Sequence, residues 1–171
     1  MKISMRKIVP FLAIFSLAVP LWAQPSNRGT AEVTISGKTV SINYGRPSVK
    51  GRDVLAMASV GEVWRLGMNQ ATEITSTGDL VVGSKELKAG KYSLWVRKTG
   101  PDSWVLAFHP KTGIWGKPAM TEGFVAETPL KSENVSDDAE QLVISLTDVK
   151  NQAQILIHWG KTQLVGSFGV K

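Results

Sequence analysis

Short runs in which apolar and polar residues alternate recur along most of the chain, and they constrain the fold more than any other feature. In the stretch TAEVTISGKTVSINYG, Val33 and Ile35 alternate with polar residues before Gly37, and Val40 and Ile42 do so after it. A period of two places alternate side chains on opposite faces of a strand. A glycine between two such runs accommodates the positive φ of a hairpin turn, so this stretch predicts a β-hairpin.

The remaining runs predict an all-β domain. Further alternating runs occupy residues 79–87, 91–110, 140–149 and 154–170, and turn residues divide the first two into pairs of strands. In the last of these we expect two strands joined near Gly160. Only residues 52–62 carry apolar side chains at helical spacing, which predicts one or two short helical turns. About eight to ten short strands separated by turn signals are typical of an antiparallel β-sandwich, jelly-roll-like or barrel-like.

The polar segment KSENVSDDAE, residues 131–140, interrupts this pattern with clustered acidic residues. Like charges repel and remain in water, so we expect a solvated loop or edge. A calcium site is the alternative, because carboxylates suit hard cations, but the ordered ligand spacing of calcium-binding loops is missing.

The first residues have the order of a secretory signal peptide: basic residues, an apolar run and small residues before Gln24. The apolar run contains Pro10 and Pro20 and is shorter than the roughly 20 residues of a spanning helix. No Cys follows it, which excludes a lipoprotein anchor. We therefore expect a signal peptide at 1–23 and a single domain at 24–171, periplasmic or extracellular, with no membrane span after cleavage.

The composition of the chain limits which binding partners and which sources of stability we expect. Removing the three basic residues of the signal peptide leaves 17 of the 20 Lys and Arg against 14 Asp and Glu, so the net charge falls from +6 to +3. This balance gives no concentrated basic face for nucleic acid, and we expect no nucleic-acid partner. The absence of Cys excludes disulfides, so the fold must depend on its core.

Motifs of common catalytic and metal sites are missing. His109 and His158 are isolated, whereas zinc needs three or four ligands. The Gly-Lys pairs lack the preceding glycine of a phosphate-binding loop, and there is no GxSxG motif. A serine hydrolase with one of the histidines as base is a minor alternative, because no particular Ser is paired with either. We therefore predict no metal, no cofactor and no catalytic residue.

Basic and planar side chains concentrate in two segments, INYGRPSVKGRD at 42–53 and GEVWRLGMNQATEI at 61–74. Guanidinium groups bind carboxylate or phosphate through paired hydrogen bonds, and a Trp ring can line a ligand cleft. The candidate binding residues are Arg46, Lys50, Arg52, Trp64, Arg65 and Asn69.

A structural role is the alternative for the same residues. The arginines would then pair with internal carboxylates and hold the loops to the sheet, while Asn69 would cap a turn before the next strand. The carboxylates available for such pairs are Asp53, Glu62 and Glu73.

In these segments the chain resembles a bacterial family of exported proteins built on a domain of unknown function. The shared signature is RPSVKGR, VWRxGxNxAT, AGxYSL and a WG pair, and the resemblance covers about Ala31 to Phe168. It implies a single all-β exported domain and no particular activity, cofactor or substrate. The matching positions are Arg46, Pro47, Lys50, Gly51, Arg52, Trp64, Arg65, Gly67, Asn69, Ala71, Thr72, Ala89, Gly90, Tyr92, Ser93, Trp115 and Gly116.

One departure from the signature bears on chemistry. Gln70 stands where the family usually has Glu. An amide does not titrate, so an essential acid or base at this position is excluded for this chain. Hydrogen-bonding and structural roles remain.

Three hypotheses follow. The first is a non-catalytic exported β-sandwich that binds an anionic small molecule, a carboxylate-bearing glycan or an envelope protein. The second is an extracellular hydrolase or lyase acting on an anionic polymer, with Asp53, Glu62 or Glu73 as acid or base and a second carboxylate about 5 to 10 Å away. The third is a purely structural envelope protein, in which Arg46 and Arg65 would be buried against internal carboxylates.

Overall fold

A computed structural model describes residues 27–52 and 54–171. The expected signal peptide and Asp53 lie outside these described residues. The strands and the helix, in chain order, are β1 Arg28–Ile35, β2 Lys38–Gly45, α1 Val54–Met57, β3 Val63–Arg65, β4 Thr72–Ser76, β5 Leu80–Val82, β6 Lys85–Leu87, β7 Gly90–Lys98, β8 Ser103–His109, β9 Ala126–Val149 and β10 Gln152–Val170.

The strands form one antiparallel sheet with the order β1-β2-β4-β7-β8-β9-β10-β5-β6. Both β3 and β4 pair with β7, so the segment between them leaves the sheet as a loop at residues 66–71. The prediction of an all-β antiparallel fold with at most two short helical turns is confirmed, since α1 is a single turn. No helix of the described residues is long and apolar enough to cross a membrane.

The sheet folds over on itself as a sandwich, because β1 packs against β9 although the two strands do not pair. The buried Tyr44 at the end of β2 links the two sides. Its hydroxyl accepts a hydrogen bond from the Ile144 backbone nitrogen of β9 at 3.0 Å and lies 3.4 Å from the Ile144 carbonyl oxygen, to which it donates. One side chain of β2 therefore satisfies backbone groups 100 residues away in the sequence.

The segment after β2, which we call the crossover (residues 46–52), also bonds to β9. The Val49 N–H donates to the Glu140 carbonyl at 2.7 Å, and the Leu142 N–H donates to the Pro47 carbonyl at 3.0 Å. Pro47 has no backbone N–H, so it takes part in this pairing only as an acceptor, through its carbonyl. The RPSVKGR motif thus crosses between the two sides of the sandwich with its backbone paired.

The C-terminal third differs from expectation at two places. Residues 131–140 are not a loop but the middle of β9, with a backbone partly paired with β10. Their exposed acidic side chains agree with the other expectation, a solvated edge, since the pairing of β9 with β8 ends at Lys131. Gly160 is not a turn between two strands but lies within β10, where the register with β9 shifts on both sides of it. Its φ of +61° allows this irregularity.

The main core lies inside the folded sheet and is formed by the alternate apolar residues of the paired strands. A smaller cluster of Ala71, Trp95 and Ala107 lies apart from it. Partly buried side chains of the segment after β8, including Ile114 and Phe124, cover this cluster. The segment is thereby held against β7 and β8, and its middle reaches the loop at 66–71.

A close backbone approach fixes that loop against the end of β2. The Gly67 backbone has a φ of +136°, and a Cβ there would meet the Gly45 carbonyl oxygen at 3.0 Å. The buried Thr72 hydroxyl donates to the Leu66 carbonyl from the other end of the loop. A side chain at Gly45 would enter the same space, because its Cβ would stand 2.8 Å from both the backbone nitrogen and the Cγ of Met68.

Gly45→Ala should therefore destabilise the protein. The Met68 backbone cannot yield without moving the loop, and we expect a loss of about 1–3 kcal/mol in the free energy of unfolding, measured by urea denaturation with tryptophan fluorescence. Gly100→Ala is the matched control, because its Cβ would meet Ser103 at an ordinary 3.5 Å; its effect should stay within about 0.5 kcal/mol. Equal effects of the two substitutions would contradict this account of the loop.

Candidate binding cleft

A cleft of about 440 Å³ opens where the crossover, β3 and the segment after β8 meet. The crossover contributes Pro47 and Arg52, β3 contributes Trp64 and Arg65, and the later segment contributes Lys117. Trp159 of β10 also lines the cleft. Strands and connecting segments that are distant in sequence therefore form one cavity, which we call the cleft.

Two of its aromatic rings stack on each other. The ring centroids of Trp64 and Trp159 lie 5.1 Å apart with an angle of 16° between the planes. Trp159 is 5% exposed and belongs to the main core, whereas Trp64 is half-buried and packs against that core. The pair gives the cleft an aromatic wall that is continuous with the interior.

The register shift in β10 explains how Trp159 comes to this position. Its neighbours in β10, His158 and Gly160, pair with Val143 and Ala139 of β9. Residues 140–142 of β9 lie between these two pairs and have no partner in β10. Those same residues bond to the crossover. Irregularities of this kind redirect a side chain locally, and here the redirected ring lies beside the crossover and in the cleft.

Positive charge predominates among the charged residues of the cleft. Arg52, Arg65 and Lys117 carry it, and Glu62 is the one carboxylate residue among the described cleft residues. None of the three cations forms an ion pair with another described residue. Glu62 instead accepts a hydrogen bond from the Ser59 backbone nitrogen at 3.1 Å.

Neither Glu62 nor Glu73 therefore forms the ion pairs with the arginines that the structural alternative requires. Glu73 pairs with Lys91 at 3.3 Å and also accepts a hydrogen bond from the Gly113 backbone nitrogen at 2.6 Å. The third carboxylate considered, Asp53, lies outside the described residues. Among the three candidate arginines, Arg46 donates a side-chain hydrogen bond to a backbone carbonyl, that of Leu142.

Of the six candidate residues, the structure brings Arg52, Trp64 and Arg65 together in the cleft and places Arg46, Lys50 and Asn69 outside its lining. Arg46 is half-buried, and its Nε donates to the Leu142 carbonyl at 3.4 Å. Lys50 is exposed at the turn of the crossover with a φ of +50°, and its backbone N–H donates to Glu140 Oε1 at 3.3 Å. Their described contacts attach the crossover to β9.

Asn69 organises the loop at 66–71. It has a φ of +61°, and its carbonyl accepts a hydrogen bond from the Gly116 backbone nitrogen at 2.8 Å. The Ala71 N–H donates to the Ile114 carbonyl at 3.0 Å, so the two motifs VWRxGxNxAT and WG are joined by backbone bonds. The junction is closely packed, because a Cβ at Gly116 would stand 3.1 Å from the Asn69 carbonyl oxygen and 2.8 Å from the Cδ of Arg65.

A second, smaller groove of about 240 Å³ lies on the other side of Met68 and is lined by Arg28, Asn69 and Trp115. Arg28 Nε donates to Asn43 Oδ1 at 2.6 Å. Burial lowers the pKa of Arg28 and the charge of Glu73 opposes this shift. Trp115 is 60% exposed.

Sequence reasoning missed two cleft residues. Lys117 directly follows the WG pair, so a search around that motif would have included it. Trp159 belongs to the core, and its second role as a cleft wall depends on a register shift that the sequence does not show. Among residues 27–52 and 54–171, no group of three or more His, Asp or Glu could hold a metal ion.

The fold places the chain among the all-β proteins with an antiparallel, sandwich-like sheet. Within that class, it belongs to the family described as protein of unknown function (DUF2911), whose pattern matches residues 26–167. The resemblance noted from the signature is thereby confirmed as a family built on a domain of unknown function. Comparison with curated proteins and with solved structures gave no match.

Proposed function

We propose that the protein is an exported, non-catalytic β-sandwich that binds an anionic organic ligand in the cleft. The observation that carries the proposal is the convergence of Arg52, Arg65 and Lys117 on one cavity without an ion-pair partner among the described residues. Export is supported by the signal-peptide pattern of residues 1–23.

The charge distribution favours an anion. Like charges placed around one cavity repel each other, and an anionic ligand would relieve this repulsion while forming charge-assisted hydrogen bonds. Arg65 is half-buried, so salt screens its interactions less than those of fully exposed side chains. A carboxylate matches the fork of a guanidinium group and can be held by two parallel hydrogen bonds.

The uncharged part of the cleft favours an organic ligand over a bare ion. Trp64, Trp159 and Pro47 supply aromatic and apolar surface. The volume of about 440 Å³ lies in the usual range for small-molecule sites, which combine apolar walls with a few polar groups that orient the ligand.

The hydrolase or lyase hypothesis is the less well supported alternative. Paired-carboxylate chemistry needs two carboxyl groups facing each other across the substrate, and the described cleft residues include only Glu62. Glu127 lies in an adjoining cleft with Glu62, but its carboxylate is 2.7 Å from Arg97 Nη2 and forms an ion pair with it.

Arg65→Gln should weaken binding of oligogalacturonate, used as a probe for an anionic glycan. Gln keeps the polar end and much of the length but loses the charge and the fork, so we expect a Kd about 10- to 100-fold higher in a titration followed by tryptophan fluorescence. Lys38→Gln is the charge control, because Lys38 is exposed at the β1–β2 hairpin, away from the cleft; its Kd should stay within about twofold of wild type.

The affinity should also fall as salt is added, because screening weakens charge-assisted binding. A wild-type protein that shows no saturable fluorescence change would contradict the proposal. So would equal Kd values for Arg65→Gln and Lys38→Gln.

The export part of the proposal is tested separately. Expressed in a bacterial host with its own N-terminus, the chain should be recovered outside the cytoplasm with an intact mass that corresponds to a start at or near Gln24. Recovery of the uncut chain from the cytoplasm or the membrane fraction would contradict export by a cleaved signal peptide.

A further inference from the structure

The smaller groove beside Met68 contains an exposed aromatic ring. Trp115 lines this groove and is 60% exposed. Among residues 27–52 and 54–171, no other Phe, Trp or Tyr side chain is exposed to this degree. A single exposed apolar side chain is common on protein surfaces, so the surroundings of the ring decide what it can do.

The backbone that carries Trp115 is fixed. Trp115 and Gln70 face each other as an antiparallel bridge. The residues on either side of Trp115 each share a backbone hydrogen bond with the loop at 66–71. The ring is therefore held beside the groove before any ligand arrives, and binding costs little ordering of the backbone.

Side-chain amides share the groove with this ring. Asn27, Asn69 and Gln70 line it, and all three are exposed. The side chains of Asn69 and Gln70 have no hydrogen-bond partner among the described residues. An amide offers two N–H donors and a carbonyl acceptor. The groove therefore combines donors and acceptors, which match hydroxyl groups because a hydroxyl both donates and accepts.

The groove differs from the cleft in its charge. Arg28 is the one charged residue among the described residues that line it. Its guanidinium group is already engaged, because Nε donates to Asn43 Oδ1 at 2.6 Å and Nη2 donates to the Asn43 carbonyl at 3.1 Å. Glu73 also lies close enough to interact electrostatically with Arg28. An uncharged polar ligand is therefore favoured here over a carboxylate.

A pyranose ring matches this combination of groups. The C–H groups of its face can stack on an indole ring, whose own face is the negative part of the quadrupole, while its hydroxyl groups point outward from the ring edge. We propose that the smaller groove binds one pyranose ring of a neutral glycan, stacked on Trp115 and hydrogen-bonded to the side chains of Asn69 and Gln70.

The size of the groove agrees with a single ring. Its volume of about 240 Å³ is below the roughly 300–1,000 Å³ of sites that enclose a whole drug-sized ligand. The rest of the glycan would then lie in solvent. This site does not depend on the anion proposed for the cleft, and either site can exist without the other.

Cellopentaose, a neutral chain of glucopyranose rings, is the probe for this inference. Acrylamide quenches the fluorescence of exposed tryptophans, and among the described residues Trp115 is the exposed one. Saturating cellopentaose should reduce this quenching in the wild-type mature protein. D-Glucitol, an open-chain polyol without a ring face, should give no protection at the same concentration of hydroxyl groups.

Substitutions then assign the site. By isothermal titration calorimetry, Trp115→Ala should raise the Kd for cellopentaose about tenfold or more, because the stacking surface is lost. Trp115→Phe keeps a smaller ring and should recover part of the affinity. Gln70→Ala should raise the Kd about threefold to tenfold through the loss of hydrogen bonds.

The matched control is Met57→Ala, which also removes an exposed apolar side chain. Met57 is 72% exposed and does not line the groove. Its substitution should leave the Kd for cellopentaose within about twofold of wild type. The acrylamide measurement on the wild-type protein tests the inference even if Trp115→Ala fails to fold.

Two outcomes would overturn the inference directly: no saturable binding of cellopentaose, or the same Kd for Trp115→Ala as for Met57→Ala. A third would replace it. If Trp115 is protected from acrylamide by raising the protein concentration and not by the sugar, and sedimentation velocity shows self-association that Trp115→Ala abolishes, the exposed ring is a protein contact. None of these outcomes bears on the anion site, which Arg65→Gln tests.

Discussion

The backbone pairing of the crossover with β9 is the interaction on which the rest of the structure depends. The sheet is long and open in its strand order, so something must hold its first strands against its later ones. The hydrogen bonds of Val49 and Leu142 do this, together with the Tyr44 hydroxyl at Ile144. Leaving buried backbone groups without a hydrogen-bond partner costs free energy. The RPSVKGR motif therefore keeps its conformation only while the two sides of the sandwich are closed against each other.

The same pairing sets the chemistry of the cleft. It holds the crossover beside the register shift of β10. Arg52 and Trp159 therefore line one cavity, although more than 100 residues separate them in the sequence. Among the described carboxylates, that of Glu62 accepts a hydrogen bond from the Ser59 backbone, and that of Glu73 pairs with Lys91. No described carboxylate therefore forms an ion pair with the three cations of the cleft.

Local features of the fold could be predicted from the sequence, because each depends on residues close together in the chain. The β1–β2 hairpin, the β7–β8 pair and the single turn of α1 follow from alternation, turn residues and apolar spacing, and the structure confirms them. The finding that residues 131–140 form a strand and not a loop has a physical reason. The clustered charges correctly predict that the segment is exposed. Backbone hydrogen bonds with β10, which is distant in sequence, nevertheless hold this acidic segment in the extended conformation of β9.

The site could be predicted only in part, for a similar reason. The signature brought together segments that meet in the structure, since Arg52, Trp64 and Arg65 line one cleft. Arg46 carries the same charge but lies against the Leu142 carbonyl, and no local pattern distinguishes it from Arg52. Trp159 was missed as a cleft residue because its position depends on a register shift at Gly160, which reads locally as a turn.

The most direct measurement for the central claim is a crystal structure of the mature domain grown with D-galacturonate. The account predicts the ligand in the cleft, with its carboxylate within hydrogen-bonding distance of Arg65 or Arg52 and no protein carboxylate paired with either guanidinium group. An empty cleft in which Arg52 and Arg65 are both paired with Asp53 or Glu62 would contradict it and would support a structural role for these arginines.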